Sequence, residues 1–256
     1  MRLRGPWIAT AASIAVLLAG WVVLTRGGLV SDLFLPGPDE LWDAIVDLVE
    51  NGYKSGSLWQ HIADSLVRVF AGFGTGAVVG TMLGLAMGYF PTVDALFAPF
   101  VQFLRPLPQL AYLVLLIIWL GIGETSKITL LFLAALPVSA VAARDGVRNV
   151  AVARLRVAQS LGASQWQIFR YVVFPSALAE IFTGARLAIG IVYGTLIAAE
   201  IIAGNGGIGW MILDAGRFLR SDYVFVGILI IGVMGVALDR LLLAVEARIV
   251  HWAGRQ

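Results

Sequence analysis

The sequence predicts an all-α integral membrane protein with six transmembrane helices, and three observations carry that expectation. Apolar residues make up 59% of the 256 and charged residues only 13%, with a mean hydropathy of +0.88, whereas a soluble domain is about one quarter charged. Six stretches are apolar over roughly the 20 residues that cross a bilayer core. The charges between them are segregated. Arginines gather at the N-terminus (Arg2, Arg4), in residues 144–180 (Arg144, Arg148, Arg154, Arg156, Arg170) and in the C-terminal tail (Arg248, Arg255). Residues 31–64 instead carry Asp32, Asp39, Glu40, Asp43, Asp47, Glu50 and Asp64 against Lys54 alone. The positive-inside bias places both termini and the 144–180 stretch in the cytoplasm, and an even number of spans satisfies it.

The first span, 7–24, follows a short basic start. No small-residue cleavage site comes after Leu24 and five more spans follow, so it reads as an uncleaved anchor. The external segment 28–64 is structured. Pro36, Gly37 and Pro38 end the preceding chain, and Pro38 suits the first turn of a helix. Leu41, Ile45, Leu48 and Val49 recur at helical spacing opposite Asp39, Asp43, Asp47 and Glu50. Asn51-Gly52 closes that helix, and Ser57 with Gln60 forms a capping box for the next. This amphipathic helix either lies on the outer membrane surface or forms part of a docking surface for an external protein.

The second span, 65–89, carries glycines at 72, 76, 80, 84 and 88, with Gly74 between them. Glycines spaced by four let another helix backbone come close, which predicts tight packing against a crossing helix rather than a ligand surface. The third span, 95–120, contains Arg105-Pro106-Leu107-Pro108-Gln109. The prolines remove backbone donors and loosen the helix. Arg105 then either attracts an anion beside Gln109, reaches the cytoplasmic surface, or pairs with an acid on a neighbouring helix. The fourth span is 126–143, the fifth 181–203 and the sixth 223–245. Glu200, near the outer end of the fifth, either pairs with a cation on another span or belongs to an external gate. Gly204-Asn205-Gly206-Gly207 reads as a helix end and turn, with a flexible gate as the alternative. Asp64 with Arg68, and Glu124 with Lys127, are spaced as ion pairs on one helix face.

Several chemistries are excluded. The chain has no cysteine, so it has no disulfide, thiol nucleophile or Cys-ligated metal. His61 and His251 are far apart in sequence and no metal site is expected. No phosphate-binding G-x-x-x-x-G-K-[ST] motif occurs, so nucleotide hydrolysis is not expected in this chain. Nothing resembles the inverted repeat of a self-contained secondary transporter, nor the catalytic cluster of an intramembrane enzyme.

The most informative stretch is 154–175, RLRVAQSLGASQWQIFRYVVFP. Val152, Leu155, Ala158 and Leu161 share one side of a short helix, while Arg154, Arg156, Gln159 and Ser160 lie mostly on the other. Gly162 ends that helix in a positive-φ conformation. Ser164 and Gln167 cap a second helix, and Pro175 stops it and opens the next span. A braced helix of this kind transmits a push from a partner to the adjoining spans.

This stretch resembles the EAA loop of ABC-importer permeases, E-A-A-x3-G-x9-I-x-L-P. Ala158, Gly162 and Pro175 match it, while Arg156, Val157, Val172 and Phe174 depart at the Glu, second Ala, Ile and Leu positions. A basic residue at position 156 is similar to what the sulfonate branch of the family carries. The likeness extends over roughly residues 35–246. LRPLPQLAYLVLLIIWLGIGETSKI (104–128), AQSLGAS (158–164), FPSALAEIFTGARLAIG (174–190) and IAAEIIAGNGGIG (197–209) resemble permeases for taurine and alkanesulfonates. Related branches serve nitrate, bicarbonate and thiamine-pyrimidine precursors.

The resemblance implies a MetI-like type I importer permease in a bacterial inner membrane, used as a homodimer with two copies of a cytoplasmic ATPase and an external binding protein. ATP and magnesium would act in the ATPase, with no cofactor in this chain, and lipid but no nucleic acid would surround it. It divides the chain into an anchor (1–27), an external amphipathic segment (28–64), a permease core (65–246) with its coupling loop at 144–180, and a tail (247–256). It assigns ATPase coupling to Leu155, Arg156, Ala158, Leu161, Gly162, Ala163 and Pro175. Arg105, Gln109, Glu200 and Asn205 are the candidates for the translocation path or gate.

Overall fold

Each apolar stretch folds as helix, because hydrocarbon offers no partner for an unpaired backbone N–H or C=O. A computed structural model of the chain describes residues 5–54 and 56–250, and their side chains apart from residues 5–9 and 203. Arg2, Arg4, His251 and Arg255 lie outside the described residues. The helices are α1 (Gly5–Arg26), α2 (Pro38–Glu50), α3 (Leu58–Tyr89), α4 (Pro91–Leu104), α5 (Gln109–Leu120), α6 (Glu124–Arg148), α7 (Val152–Ser160), α8 (Gln165–Ile168), α9 (Phe174–Ala203), α10 (Ile208–Arg217) and α11 (Ser221–Ile249). A π-helical turn, Phe169–Val173, joins α8 to α9.

Among the described residues, four helical stretches are long and apolar enough to cross a membrane, and α4 with α5 makes a fifth. With α1 this is consistent with six spans. The expected single third span is broken: α4 and α5 meet at 101° around Arg105-Pro106-Leu107-Pro108, where two prolines withhold backbone donors. The helix capped by Ser57 and the second span are one 32-residue helix, α3, and the Ser57–Gln60 capping box is present.

The glycines of α3 dictate its partner. Gly72, Gly76, Gly80, Gly84 and Gly88 face, in order, Leu131, Ala135, Ser139, Ala143 and Val147 of α6. Every step of four on α3 meets a step of four on α6, so the two helices run parallel and stay in contact along the whole stripe. A Cβ at Gly76 would come within 2.6 Å of the Phe132 carbonyl oxygen, and one at Gly80 within 2.5 Å of the Leu136 oxygen. Gly74, off the stripe, meets nothing within 4 Å. The stripe is therefore a packing seam, as expected, but the contact is continuous rather than confined to one crossing.

The centre of the bundle is apolar. Val69 and Phe73 of α3, Leu131, Ala134 and Ala135 of α6, and Ala188, Ile189, Val192 and Leu196 of α9 pack together, with Leu238 of α11. Helix α9 runs antiparallel to α6, with Gly184 against Ala142 and Gly146 against Ala177. Helix α1 joins the segment around α2 through Trp21, whose indole N–H donates to the Pro36 carbonyl at 3.1 Å, and through the Arg26–Asp39 ion pair. Its Val16, Leu17 and Val23 are exposed.

One end of the bundle is acidic. There α2 turns Leu41, Ala44 and Leu48 into a cluster with Tyr53, Met211 and Ala215 of α10, and Tyr223 and Val226 of α11. Leu41, Ala44 and Leu48 of its apolar face are thus buried in protein, while Val49 stays exposed. The loop after α2 is fastened to α10: the Tyr53 hydroxyl donates to Asp214 at 2.8 Å and the Lys54 ammonium pairs with it at 2.5 Å. Burial raises the Asp214 carboxyl, but the hydrogen bonds from Lys54 and Tyr53 outweigh burial and hold it below its ordinary 3.8. A lowered folded-state pKa adds stability above that value and loses it as pH falls. Acidifying the protein from neutrality through the carboxylate range should therefore release residues 51–54, read as faster amide exchange there, and Asp214→Asn should show the same release at neutral pH.

Candidate functional site

At the opposite, basic end the chain makes a sharp elbow between α7 and α8. Gly162 has φ +78°, the left-handed region that side chains resist. Its N–H donates to the Gln159 carbonyl at 3.0 Å and the Ala163 N–H to the Ala158 carbonyl at 3.1 Å. That pair of bonds is a Schellman cap, which needs a glycine four residues after the small Ala158. Ser164 and Gln167 exchange the two bonds of a capping box and start α8. Leu155, Ala158 and Ala163 pack against Val147, Val150, Ile168, Val173 and Ala177, fixing the elbow to α6 and α9.

The rest of the elbow is bare. Helix α7 has no fully buried residue, and Val152, Val157 and Leu161 are exposed, Leu161 by 82%. The apolar stripe is accordingly half-used, with only Leu155 and Ala158 packing inward. Arg156 is also exposed. Ala158, Leu161, Gly162 and Ala163 line an open hollow of about 350 Å³ with Gln167 and Tyr171.

Pro175 does not stop the helix. The backbone stays helical from α8 through the π-helical turn into α9, where Pro175 sits in the first turn. The Phe174 N–H reaches back to the Phe169 carbonyl, one residue further than in an α-helix. The widened turn absorbs the missing proline N–H and the bulk of its ring. The second arm of the elbow, α8, and the fifth span are one continuous rod.

That rod ends at the acidic end in a buried polar cluster. Arg68 of α3 is 4% exposed and Glu200 of α9 is fully buried. The Arg68 guanidinium donates to Glu200 through Nη1 at 2.6 Å and to the Gly206 carbonyl at 3.0 Å. It also donates to Glu124 of α6 through Nε at 2.6 Å and Nη2 at 2.8 Å. Glu200 further accepts from the Ser65 hydroxyl and the Gly209 N–H, both at 2.8 Å. His61 accepts from the Gly207 N–H at 3.2 Å through Nδ1. Buried charges persist when every partner is supplied, and here the partners come from four helices, α3, α6, α9 and α10, and the turn at 204–207.

This arrangement corrects one expectation and completes another. Arg68 pairs with Glu124 and Glu200, while Asp64, one turn earlier, is exposed on the helix surface. The expected Glu124–Lys127 pair is present at 3.0 Å. Glu200 does pair with a cation on a neighbouring span. Asn205 lines a hollow of about 290 Å³ that opens beside Arg68 and Lys127. Arg105 and Gln109 lie elsewhere, at the α4–α5 break. Arg105 makes no ion pair among the described residues and borders a hollow of about 180 Å³ shared with Asp145 and Glu180.

Ser65, His61 and Lys127 were not singled out as site residues by the sequence pattern. The signal was present: Arg68 is a full charge within an apolar run, and such a residue demands a partner inside the protein. The same holds for Arg186 and Asp239, which pair at 3.0 Å between α9 and α11.

The fold and its two polar or bare ends define a helical membrane subunit of a transport system. The chain belongs to the family described as "Binding-protein-dependent transport system inner membrane component", which residues 76–251 match. It is 42% identical over 243 residues to the taurine transport system permease protein TauC of Escherichia coli (strain K12), covering 94% of this chain and 88% of that protein. It is 34% identical over 251 residues to a putative aliphatic sulfonates transport permease protein, SsuC, of Bacillus subtilis (strain 168), covering 98% and 90%. The nitrate import permease protein NrtB of Synechocystis sp. (strain ATCC 27184 / PCC 6803 / Kazusa) is 32% identical over 248 residues, covering 95% and 89%. The fold is also that of a chain of the MetNI methionine ABC transporter in an inward-facing conformation, with a TM-score of 0.56 and 21% identity over 72% of this chain and 95% of the other. The relatives are permease subunits of transporters, not enzymes.

Proposed function

We propose that this chain is the membrane subunit of an ATP-driven importer that works by alternating access, carrying a small organic anion, taurine or an alkanesulfonate, to the cytoplasm. The acidic end faces outward to a binding protein and the basic end faces the cytoplasm, in keeping with the arginine bias. Two copies form the pathway, and two copies of a separate ATPase supply ATP and magnesium chemistry beneath them. The taurine and sulfonate relatives support the substrate class. The nitrate relative supports the same machinery with nitrate as the alternative.

The observation that carries the mechanism is the elbow. It is rigid by its cap, continuous with α9 and bare on its outer face. A motor subunit seated there moves α9 directly, and α9 is locked at its far end to α3 and α6 through Glu200, Arg68 and Glu124. Closing of the ATPase pair would draw the two elbows together and swing both bundles.

Gly162→Val tests this. A β-branched residue resists φ +78°, so the Schellman cap should fail while the spans still insert. The expected result is normal membrane levels, with stimulation of ATP hydrolysis by the substrate-loaded binding protein lost. Normal stimulation in that variant would refute the coupling role.

A further inference from the structure

The cluster at the acidic end contains two different carboxylates. Glu200 is enclosed and satisfied by Arg68, Ser65 and the Gly209 N–H. Glu124 is not enclosed: its side chain is 55% exposed, yet it neutralises two cations that are almost wholly buried, Arg68 at 4% and Lys127 at 3%. Lys127 has no other ion-pair partner among the described residues. Glu124 spreads its oxygens over both, one on the guanidinium Nε at 2.6 Å, the other on Nη2 at 2.8 Å and on the Lys127 ammonium at 3.0 Å. Two oxygens of one anion on a guanidinium fork and an ammonium is how a sulfonate or carboxylate is held.

The place is open as well as charged. The hollow of about 290 Å³ runs from Arg68 and Lys127 past Gly123 and Asn205, against the ~30 Å³ one water takes up in liquid. Glu124 is the first residue of α6, and no side chain caps that helix start, so the positive end of the helix dipole adds to the two cations. Asp64 also borders the hollow and opposes a divalent anion more than a monovalent one.

We infer that Arg68 and Lys127 form an anion-accepting station at the outer mouth of the path, where the Glu124 carboxylate is a resident that an entering monovalent sulfonate displaces. Glu124 swings out through its exposed side, the sulfonate takes its oxygens' places, and the buried cations are never left bare. When the anion moves on, Glu124 returns. The inference rests on the import reading above and names its outer binding group.

The test uses the full chain assembled with its ATPase in lipid nanodiscs, without binding protein, and radiolabelled methanesulfonate as probe. Glu124→Gln removes the competing charge and keeps the side chain's size. Binding should tighten about tenfold, the effect of ~1.4 kcal/mol, and adding Lys127→Met to that variant should abolish the gain. Unchanged affinity in assembled Glu124→Gln, or a gain that survives Lys127→Met, overturns the station. If Glu124→Gln assembles only in methanesulfonate buffer and not in gluconate buffer, the station is supported; equal failure in both overturns it. Transport by the whole system separates the two proposals. Sulfonate uptake with no gain in Glu124→Gln sinks the station alone, whereas uptake restricted to a cation sinks the import reading and the station with it.

Discussion

Gly84→Val is expected to abolish assembly of the bundle. A Cβ at Gly84 would overlap the carbonyl oxygen of Ala140 and press on the Ala143 methyl at 2.8 Å. The overlapping atom is backbone, so no rotamer change relieves it. Neighbouring glycines make the same approach to α6, and the helices cannot part at one step of the seam without parting at the next. Overpacking of this kind costs about 3 kcal/mol or more, and in a membrane no hydrophobic drive between helices compensates. Size-exclusion chromatography of the detergent-purified variant should show aggregate or nothing. Gly74→Val is the matched control, since the space around that position is open; equal loss in both variants would assign the defect to glycine content rather than to the seam.

Arg68→Met is expected to be nearly as damaging, for an electrostatic reason. It leaves Glu200 buried with only the Ser65 hydroxyl and the Gly209 N–H. Breaking a buried pair by removing one partner costs about 3–5 kcal/mol. Adding Glu200→Gln removes the stranded charge and should recover a large part of the loss. The measurement is a thermal melt of the four proteins of this double-mutant cycle in one detergent. Additive losses in the double variant would show that Arg68 and Glu200 do not act as a pair.

The two ends of the molecule differ in how far they could be read from the residues. The elbow was legible almost completely, because it is local: Gly162 sits four residues after Ala158 and Ser164 three before Gln167, and both caps close within one turn. The bend at Pro106 and Pro108 was legible as a loosening but not as a right-angle break, since its size depends on what α4 and α5 pack against. Pro175 misled for a related reason. Its effect on an α-helix is fixed by chemistry, but a π-helical turn upstream removes the conflict, and nothing in FRYVV announces one. The outer cluster was the least legible. Arg68 had a carboxylate one turn away on its own helix, and that short-range pairing hid Glu124 and Glu200, which are 56 and 132 residues distant. Only the parallel register of α3 and α6, set by the glycines, brings Glu124 to it.

The π-helical turn at Phe169–Val173 also fixes a heading. An α-helix advances by roughly 100° per residue, so the one surplus residue in that turn sets the direction in which the knuckle of α7 points relative to α9. Deleting a single residue there would leave both flanking helices intact and every cap satisfied, yet would turn the knuckle by a quarter-turn or so about the axis of α9. Those five residues act as the compass of the rod, and their number, more than their identity, sets the heading of α7.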